Sequence, residues 1–169
     1  MVANFMLPEM AHDQNIEDAH RIQRCAPQPD LLWCKHHGGI WRSTDAAASW
    51  HEPQAPLRSF GFAVAAHPHD ADTAWFVPAV LDQKRVPVDG AMAVNRTREG
   101  GRTFETRRAG LPQQHAYDLD YRHGLDVAEN GTTLVMGSTT GSLWASGDRG
   151  ESWQMVSLHL PPIAAVRFG

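Results

Sequence analysis

The sequence predicts an all-β fold, a partial β-propeller of about three four-stranded blades plus a lone C-terminal strand. The first observation is an eight-residue turn pattern, with a hydroxyl residue first, an acid third and an aromatic last, at 43–50, 97–104 and 146–153. The second is its period, because the acidic positions lie 54 and 49 residues apart, about the length of one blade. The third is a glycine-led strand before each copy, at 39–42, 90–94 and 141–144.

The turn pattern has a local physical explanation, which is most complete in its third copy. Asp148 can accept hydrogen bonds from backbone N–H groups of the turn, and Gly150 supplies a left-handed backbone. Trp153 then packs inward as the next strand begins. The first copy has Ala47 in place of this glycine. We expect structural roles for the matching residues of all copies: Ser43, Asp45, Trp50, Thr97, Glu99, Gly101, Phe104, Ser146, Asp148, Gly150 and Trp153.

Composition narrows the possible function classes. A chain of 169 residues allows one domain with a sizeable core, and 14 glycines with 11 prolines suit many short strands and turns. A net charge of −4 argues against a nucleic-acid-binding surface, and the absence of a long apolar stretch argues against a membrane span. The start of the chain lacks a signal-peptide pattern, so we expect a cytoplasmic protein in which Cys25 and Cys34 are reduced.

The first blade is expected at residues 18–59, after a polar and irregular segment at 1–17. Its strand A, residues 18–25, is followed by Pro27 and Pro29, which favour a turn because proline cannot continue a strand ladder. Strands B, C and D of this blade are predicted at 31–35, 39–42 and 49–52.

The same order of strands repeats twice. The second blade is expected at 60–114, with an insertion at 81–89 that lengthens its B–C loop, and the third at 115–160. The strands predicted for the second blade are 60–66, 73–77, 90–95 and 103–107. Those predicted for the third blade are 117–127, 132–137, 141–145 and 152–158.

Residues 161–169 are similar to another strand A, and no further strand follows them. Propellers close with about four to eight blades, which is more than this chain provides. We therefore expect the C-terminal part of a longer propeller. The alternative is a chain that covers its exposed propeller edges by self-association.

Strand alternation assigns each loop to one of the two faces of the propeller disc. The A–B and C–D turns share one face, which carries the three acidic turns, because consecutive antiparallel strands reverse direction. The B–C and D–A loops share the other face, here called the loop face. Ligand sites of propellers gather where loops converge, so the loop face is the predicted location of a site.

Polar residues of the loop face match the needs of a glycosidase that acts on an acidic sugar. Tyr117 would serve as nucleophile or stabiliser, and Asp82 or Asp118 as acid or base. Arginine binds a carboxylate bidentately, which makes Arg21 and Arg85 candidates for holding an anionic group. Three histidines complete the predicted substrate-binding set: His36, His37 and His115.

A metal-dependent site is a third hypothesis for the same loops. The chain has 10 histidines, and His36, His37 and His115 are the ones that could supply ligands near the axis. Their spacing matches no metal-ligand motif, so we predict no metal and no other cofactor.

The sequence resembles the WD-like/YVTN/BNR-repeat proteins, in which the turn pattern is called an Asp box and which are labelled glycosyl hydrolase or exo-α-sialidase. The stretches that carry this resemblance are 20–25, 39–45, 75–79, 94–98, 115–119 and 137–141. The resemblance implies a soluble bacterial propeller of six or seven blades with sialidase-like glycoside hydrolase activity, of which this chain would be the C-terminal part. Arg21 and Ile22 are followed by Gln23, so the Arg-Ile-Pro motif of sialidases is not matched.

The rival hypothesis is a non-catalytic propeller module. Such a module would bind a protein or a glycan through the same B–C and D–A loops, since one fold serves many functions. The expected partner is a glycan or another small-molecule substrate, or a protein under the rival hypothesis, with no nucleic acid and no membrane.

Overall fold

The computed structural model describes residues 19–169, so the irregular segment expected at 1–17 lies outside the described residues. The strands are β1 (Ala19–Cys25), β2 (Gln28–His36), β3 (Gly39–Ser43), β4 (Val64–Ala66), β5 (Ala74–Phe76), β6 (Val94–Thr97), β7 (Glu105–Arg107), β8 (Leu125–Val127), β9 (Leu134–Gly137), β10 (Leu143–Ser146) and β11 (Gln154–Ser157). A short 3-10 turn at Val88–Gly90 precedes β6. Over residues 19–169, no helix has the length and apolar character needed to cross a membrane.

The strands form three antiparallel sheets, each a meander in chain order. The first blade is β1–β2–β3, the second is β4–β5–β6–β7, and the third is β8–β9–β10–β11. Each sheet pairs neighbours in sequence, so its loops alternate between the two faces of the disc. The expected all-β, partial β-propeller fold is confirmed.

The first blade has three strands where four were expected. The predicted strand D at 49–52 is reduced to one bridge, in which the backbones of Arg42 and His51 exchange two hydrogen bonds of 2.9 and 3.0 Å. Pro53 and Pro56 follow this bridge, and a residue without an N–H group cannot continue the ladder.

The predicted C-terminal strand also proves to be a single bridge. Ala165 pairs in parallel with His123, and the N–H of Val166 donates to the His123 carbonyl at 2.8 Å. The segment folds back against the third blade, where the N–H of Ile163 donates to the Ser138 carbonyl at 3.0 Å.

The acidic turns have the hydrogen bonds that the sequence pattern predicts. In the third turn the Ser146 hydroxyl donates to Asp148 at 2.7 Å and accepts from the N–H of Gly150 at 2.9 Å. Asp148 also accepts from the N–H and the hydroxyl of Ser152, at 3.0 and 2.6 Å. Trp153 is buried directly after the turn. The acid thus satisfies turn donors rather than facing a ligand.

The other two turns repeat this network with small changes. In the first, Asp45 accepts from the N–H and hydroxyl of Ser49 at 2.8 and 2.6 Å. In the second, the Thr103 hydroxyl donates to Glu99 at 2.8 Å, so the longer acid fills the same place. The aromatic residues Trp50 and Phe104 are half-buried, less deeply than Trp153.

Each acidic turn holds its fourth and fifth residues in the left-handed region. The φ angles are 56° and 72° for Ala46 and Ala47, 66° and 85° for Gly100 and Gly101, and 62° and 78° for Arg149 and Gly150. The fourth residue of each turn also donates its N–H to a backbone carbonyl at or just before the second strand of its own blade. These bonds are Ala46 to Asp30 at 3.0 Å, Gly100 to Asp72 at 2.9 Å, and Arg149 to Thr132 at 2.9 Å.

An arginine immediately before an acidic turn reaches across to the next blade. Arg42 donates to the Gly100 carbonyl at 3.0 Å, and Arg96 donates to the Arg149 carbonyl at 2.9 Å. Gly100 and Arg149 are both the fourth residue of the following turn. We call this repeated contact the arginine clamp. A nearby carboxylate completes each clamp, Asp72 for Arg42 and Glu151 for Arg96.

Apolar packing between neighbouring blades forms the core. Trp33 of the first blade packs with residues of the second, and its indole N–H donates to the Ala71 carbonyl at 2.9 Å. Trp75 of the second blade packs against the third and donates to the Arg149 carbonyl at 2.9 Å. The two tryptophans thus repeat one role, on the same sheet faces as the two clamp arginines.

The left-handed alanines of the first turn predict a stabilising substitution. A residue with a side chain costs roughly 1–2 kcal/mol in the left-handed region. Glycine avoids this steric cost but loses more conformational entropy on folding, so only part of the cost is recovered. Ala47→Gly should therefore raise the free energy of unfolding by up to about 1 kcal/mol, measured by urea denaturation. Ala48→Gly is the matched control, because Ala48 lacks a positive φ. It should lower stability, and an equal effect of both substitutions would contradict the explanation.

Candidate functional site

A pocket of about 540 Å³ opens on the loop face of the second blade. Its walls come from the B–C insertion, which contributes Lys84 and Asp89, and from the loop leading to the third blade. That second loop contributes His115 and Tyr117, and Arg58 joins them from the loop before the second blade. The pocket therefore lies where B–C and D–A loops meet, as strand alternation predicts.

Backbone hydrogen bonds hold the two loops of the pocket together. The N–H of Ala116 donates at 2.9 Å to the carbonyl of Gly90, the last residue of the 3-10 turn. Asp89 and His115, the neighbours of these two residues, both have left-handed backbones, with φ of 57° and 53°. Residues other than glycine rarely adopt this backbone conformation unless the surrounding structure imposes it. Residues held in such conformations are concentrated at functional sites.

The pocket combines two cationic side chains, an imidazole and a carboxylate. Arg58, Lys84 and His115 line it, and among residues 19–169 Asp89 is the only acidic residue in its lining. Tyr117 is 67% exposed, although it is a large aromatic side chain. A cationic and aromatic pocket of this kind suits an anionic ligand with an extended apolar face.

The structure does not bring the three predicted catalytic residues together. Tyr117 lines the pocket, but neither Asp82 nor Asp118 does. Asp82 forms an ion pair of 2.5 Å with Arg85, and Arg85 also donates to the Asp82 carbonyl at 3.1 Å. The Asp82 carboxylate is thus paired with an arginine of its own insertion.

Asp118 accepts hydrogen bonds from the loops of the third blade. The Ser138 hydroxyl donates to it at 2.8 Å, and the Thr140 hydroxyl donates to the same oxygen. The carboxylate thus closes the B–C loop of that blade. The combination of Tyr117 with Asp82 or Asp118 as acid or base, which the sequence predicted, is therefore not found among the residues that line the pocket.

Two of the predicted histidines lie in an aromatic cluster nearer to the first blade. The ring centroid of His37 lies 5.7 Å from that of His20 and 5.7 Å from that of Phe60. The guanidinium of Arg85 lies over Phe62 at 5.3 Å. His36 is buried beside Trp41, with ring centroids 6.4 Å apart. These three predicted residues therefore do not join His115 and Tyr117 in the pocket.

Metal-ligating side chains do not gather on the loop face. His36 and His37 lie in the first blade, whereas His115 lies in the pocket. Across residues 19–169, no group of three or more His, Cys, Asp or Glu side chains is placed to hold a metal ion.

Arg21 has a structural role in place of the expected contact with substrate. Its guanidinium is buried and donates to the carbonyls of Arg122 and Leu125, at 3.0 and 2.8 Å. It also lies 3.8 Å from Asp126. Burial, followed by the charge of Arg167, lowers the pKa of Arg21 to about 10, so it is cationic at neutral pH. The side chain ties the innermost strand of the first blade to that of the third.

Two buried ionisable groups were not identified from the sequence. Lys35 is 1% exposed and donates to the Ser59 carbonyl, and burial lowers its pKa to about 7. Asp120 is 2% exposed, and neither of its carboxylate oxygens accepts a hydrogen bond from residues 19–169. Burial raises the pKa of Asp120 well above its ordinary value, an effect that the charge of Arg21 opposes.

Comparisons with known proteins identify the fold. No family model matches the sequence, and no curated protein matches it. A GH74 xyloglucanase from Xanthomonas campestris is similar in structure, with a TM-score of 0.60, 24% identity, and alignment over 81% of this chain and 20% of that one.

Two structures of YCF48 are also similar. YCF48 from Cyanidioschyzon merolae has a TM-score of 0.56 and 15% identity, over 85% of this chain and 38% of that one. YCF48 bound to D1 peptide has a TM-score of 0.58 and 13% identity, over 86% and 41%. This chain thus spans between one fifth and about two fifths of the length of these structures. At such identities the likeness shows a propeller-like repeat fold alone.

Asp120 predicts a pH-dependent stability. Because its pKa is higher in the folded chain than in the unfolded chain, its favourable contribution is complete below the unfolded value near 3.8. That contribution is lost as the pH rises through the folded pKa. Asp120→Asn should therefore be more stable than the wild type at pH 7, by about 1.4 kcal/mol for each pH unit between the unfolded and folded pKa of Asp120, with little difference at pH 3.

Urea denaturation between pH 3 and pH 8 measures this effect. Asp30→Asn is the matched control, since this exposed carboxylate accepts no hydrogen bond from residues 19–169 and its replacement should leave the pH profile unchanged. A wild type that matches Asp120→Asn in stability at every pH would show that Asp120 has no raised pKa.

Proposed function

We propose that this chain is a propeller module that binds an acidic glycan in the pocket on its loop face. One observation carries the proposal: Arg58 and Lys84, with the imidazole of His115, line a pocket in which Asp89 is the only acidic residue among residues 19–169, beside the exposed ring of Tyr117. The chain as a whole carries a net charge of −4, so this cationic group is a local feature rather than a general property of the surface.

The chemistry of each wall favours a carbohydrate with a carboxylate. Guanidinium and ammonium groups make charge-assisted hydrogen bonds to carboxylate oxygens. The amide side chains of Gln113 and Gln114 also line the pocket, and amides can donate to and accept from sugar hydroxyls. The Tyr117 ring offers an apolar surface for the face of a sugar ring.

The structural neighbours support the ligand class without deciding it. One neighbour is named a xyloglucanase, and another structure contains YCF48 with a bound D1 peptide. A glycan or a peptide is therefore a reasonable ligand for a module of this fold. The cationic pocket favours the acidic glycan.

Sialidase-like hydrolysis is the second candidate function, and the position of Tyr117 favours it. Tyr117 lines the pocket with 67% of its surface exposed, so it is accessible to a substrate. The three acidic turns support a place among the BNR or Asp-box propellers, some of which are labelled sialidases. Hydrolysis would also need a general acid, for which Asp89 is the carboxylate at hand. A cytoplasmic location and an origin in a longer propeller stay predictions of the sequence.

Calorimetric titration of the full chain with 3′-sialyllactose tests the binding proposal. Lactose is the matched ligand, because it lacks the carboxylated sugar and should bind much more weakly. Arg58→Ala combined with Lys84→Ala should weaken binding of 3′-sialyllactose roughly tenfold to a hundredfold, the effect of losing one or two charge-assisted hydrogen bonds. Arg102→Ala is the control, since this exposed arginine lies on the acidic turn at the opposite face.

Chromatography of the same mixture separates binding from hydrolysis. The binding proposal expects intact 3′-sialyllactose after incubation with the wild type. Release of free sialic acid that is abolished by Tyr117→Phe would establish the hydrolase instead. Equal affinity for lactose and 3′-sialyllactose would contradict recognition of an acidic glycan.

A further inference from the structure

The sheet of each blade has two faces, which are distinct from the two faces of the disc. The strand register and the alternation of side chains along each strand show which residues lie on each sheet face. The leading face of a blade points toward the following blade and includes Trp33 and Arg42 in the first blade. The trailing face points the other way, and in the first blade it includes Ile22 and Trp41. Trp75 and Arg96 hold the positions of Trp33 and Arg42 in the second blade.

Two interfaces within the chain, between the first and second blades and between the second and third, show how a leading face contacts the trailing face of the next blade. Each time the leading face supplies a tryptophan and an arginine as neighbours on adjacent strands. The trailing face supplies the carbonyl of the fourth residue of its acidic turn and a carboxylate beside it. That carbonyl belongs to Gly100 at one interface and to Arg149 at the other, so a side chain at this position is compatible with the clamp.

The trailing face of the first blade has the same set of acceptors. Ala46 is the fourth residue of the first acidic turn, and its N–H donates to the Asp30 carbonyl as Gly100 donates to that of Asp72. Asp30 therefore occupies the position of Asp72, whose carboxylate completes the Arg42 clamp. Within residues 19–169, neither the Ala46 carbonyl nor the Asp30 carboxylate accepts a hydrogen bond, and both residues are exposed.

Apolar surface lies beside these acceptors. Ile22 is 54% exposed although it lies in the middle of β1, and Trp41 of β3 is only half-buried on the same face. In the second blade the corresponding positions hold Val64 and Asn95, and Val64 is buried against the first blade. An exposed isoleucine in the middle of a strand offers apolar surface that a further sheet could cover.

We infer that the trailing face of the first blade is a docking surface for a β-sheet of a partner protein that presents tryptophan and arginine on adjacent strands. The guanidinium binds between the Ala46 carbonyl and the Asp30 carboxylate, and the indole packs toward Ile22. Charge complementarity and two copies of the same interface inside the chain specify this partner.

A second copy of this chain does not supply the required partner face. Arg42 and Arg96 are already engaged within the molecule. The leading face of the third blade has Val135 and Ala145 at the tryptophan and arginine positions, so it offers no donor for a clamp. The surface is also separate from the proposed glycan pocket, because acidic turns and B–C loops lie on opposite faces of the disc.

A disulfide-closed β-hairpin peptide with a cross-strand tryptophan–arginine pair is the probe for this surface. Titrating it into the ¹⁵N-labelled full chain should shift the amide signals of Asp30, Ala46 and Ile22. The matched peptide with citrulline in place of arginine keeps the shape but removes the charge. It should bind at least about tenfold more weakly, which is the loss expected for one charge-assisted hydrogen bond.

Variants of the chain locate the binding site. Asp30→Asn should weaken binding of the arginine peptide by a similar factor, and it leaves the backbone bond from Ala46 in place. Asp89→Asn in the glycan pocket is the control and should not change the affinity. Absence of shifts at Asp30 and Ala46 with millimolar peptide, or equal affinity for the two peptides, would overturn the inference.

Discussion

The arginine clamp joins the turns of this protein to the packing of its blades. Arg96 is buried with its side chain 2% exposed, and a buried guanidinium is costly unless acceptors surround it. Its acceptors are the Arg149 carbonyl, Glu105 and Glu151, at 2.9, 2.6 and 2.5 Å. The carbonyl points at the arginine because the acidic turn holds Arg149 in a left-handed conformation. The turn geometry and the blade interface therefore depend on one another.

The two faces of the disc have different roles. The face with the acidic turns carries the clamps, and the loop face carries the pocket. Acidic turns and A–B turns are fixed by repeated bonds such as that from Arg149 to Thr132, so this face has little freedom to vary. The loop face lacks such repeats, and the B–C loop of the second blade carries an insertion that forms a wall of the pocket. This insertion, a clear difference between the blades of this chain, thus lies on the side where a ligand could bind.

The sequence predicted most of the fold because its pattern is local and repeated. The three turns and their period located all three blades, and Asp148 and Ser146 make the bonds expected of them. The missing strand of the first blade could be recognised only by weighing Pro53 against the strand pattern. The site was less predictable, because the carboxylates of Asp82 and Asp118 are directed by neighbours in their own loops. Alternation places a loop on a face, but it does not specify which way its side chains turn.

Urea denaturation of Arg96→Ala and Arg98→Ala tests the central claim most directly. Both arginines bind Glu105, but the side chain of Arg98 is 56% exposed and contacts no acidic-turn carbonyl. The account predicts that Arg96→Ala lowers the free energy of unfolding by about 2 kcal/mol or more, since it removes a buried charged donor. Arg98→Ala should cost less than about 0.5 kcal/mol, as an exposed ion pair does. Equal losses in the two variants would contradict the clamp as the interaction that holds the blades together.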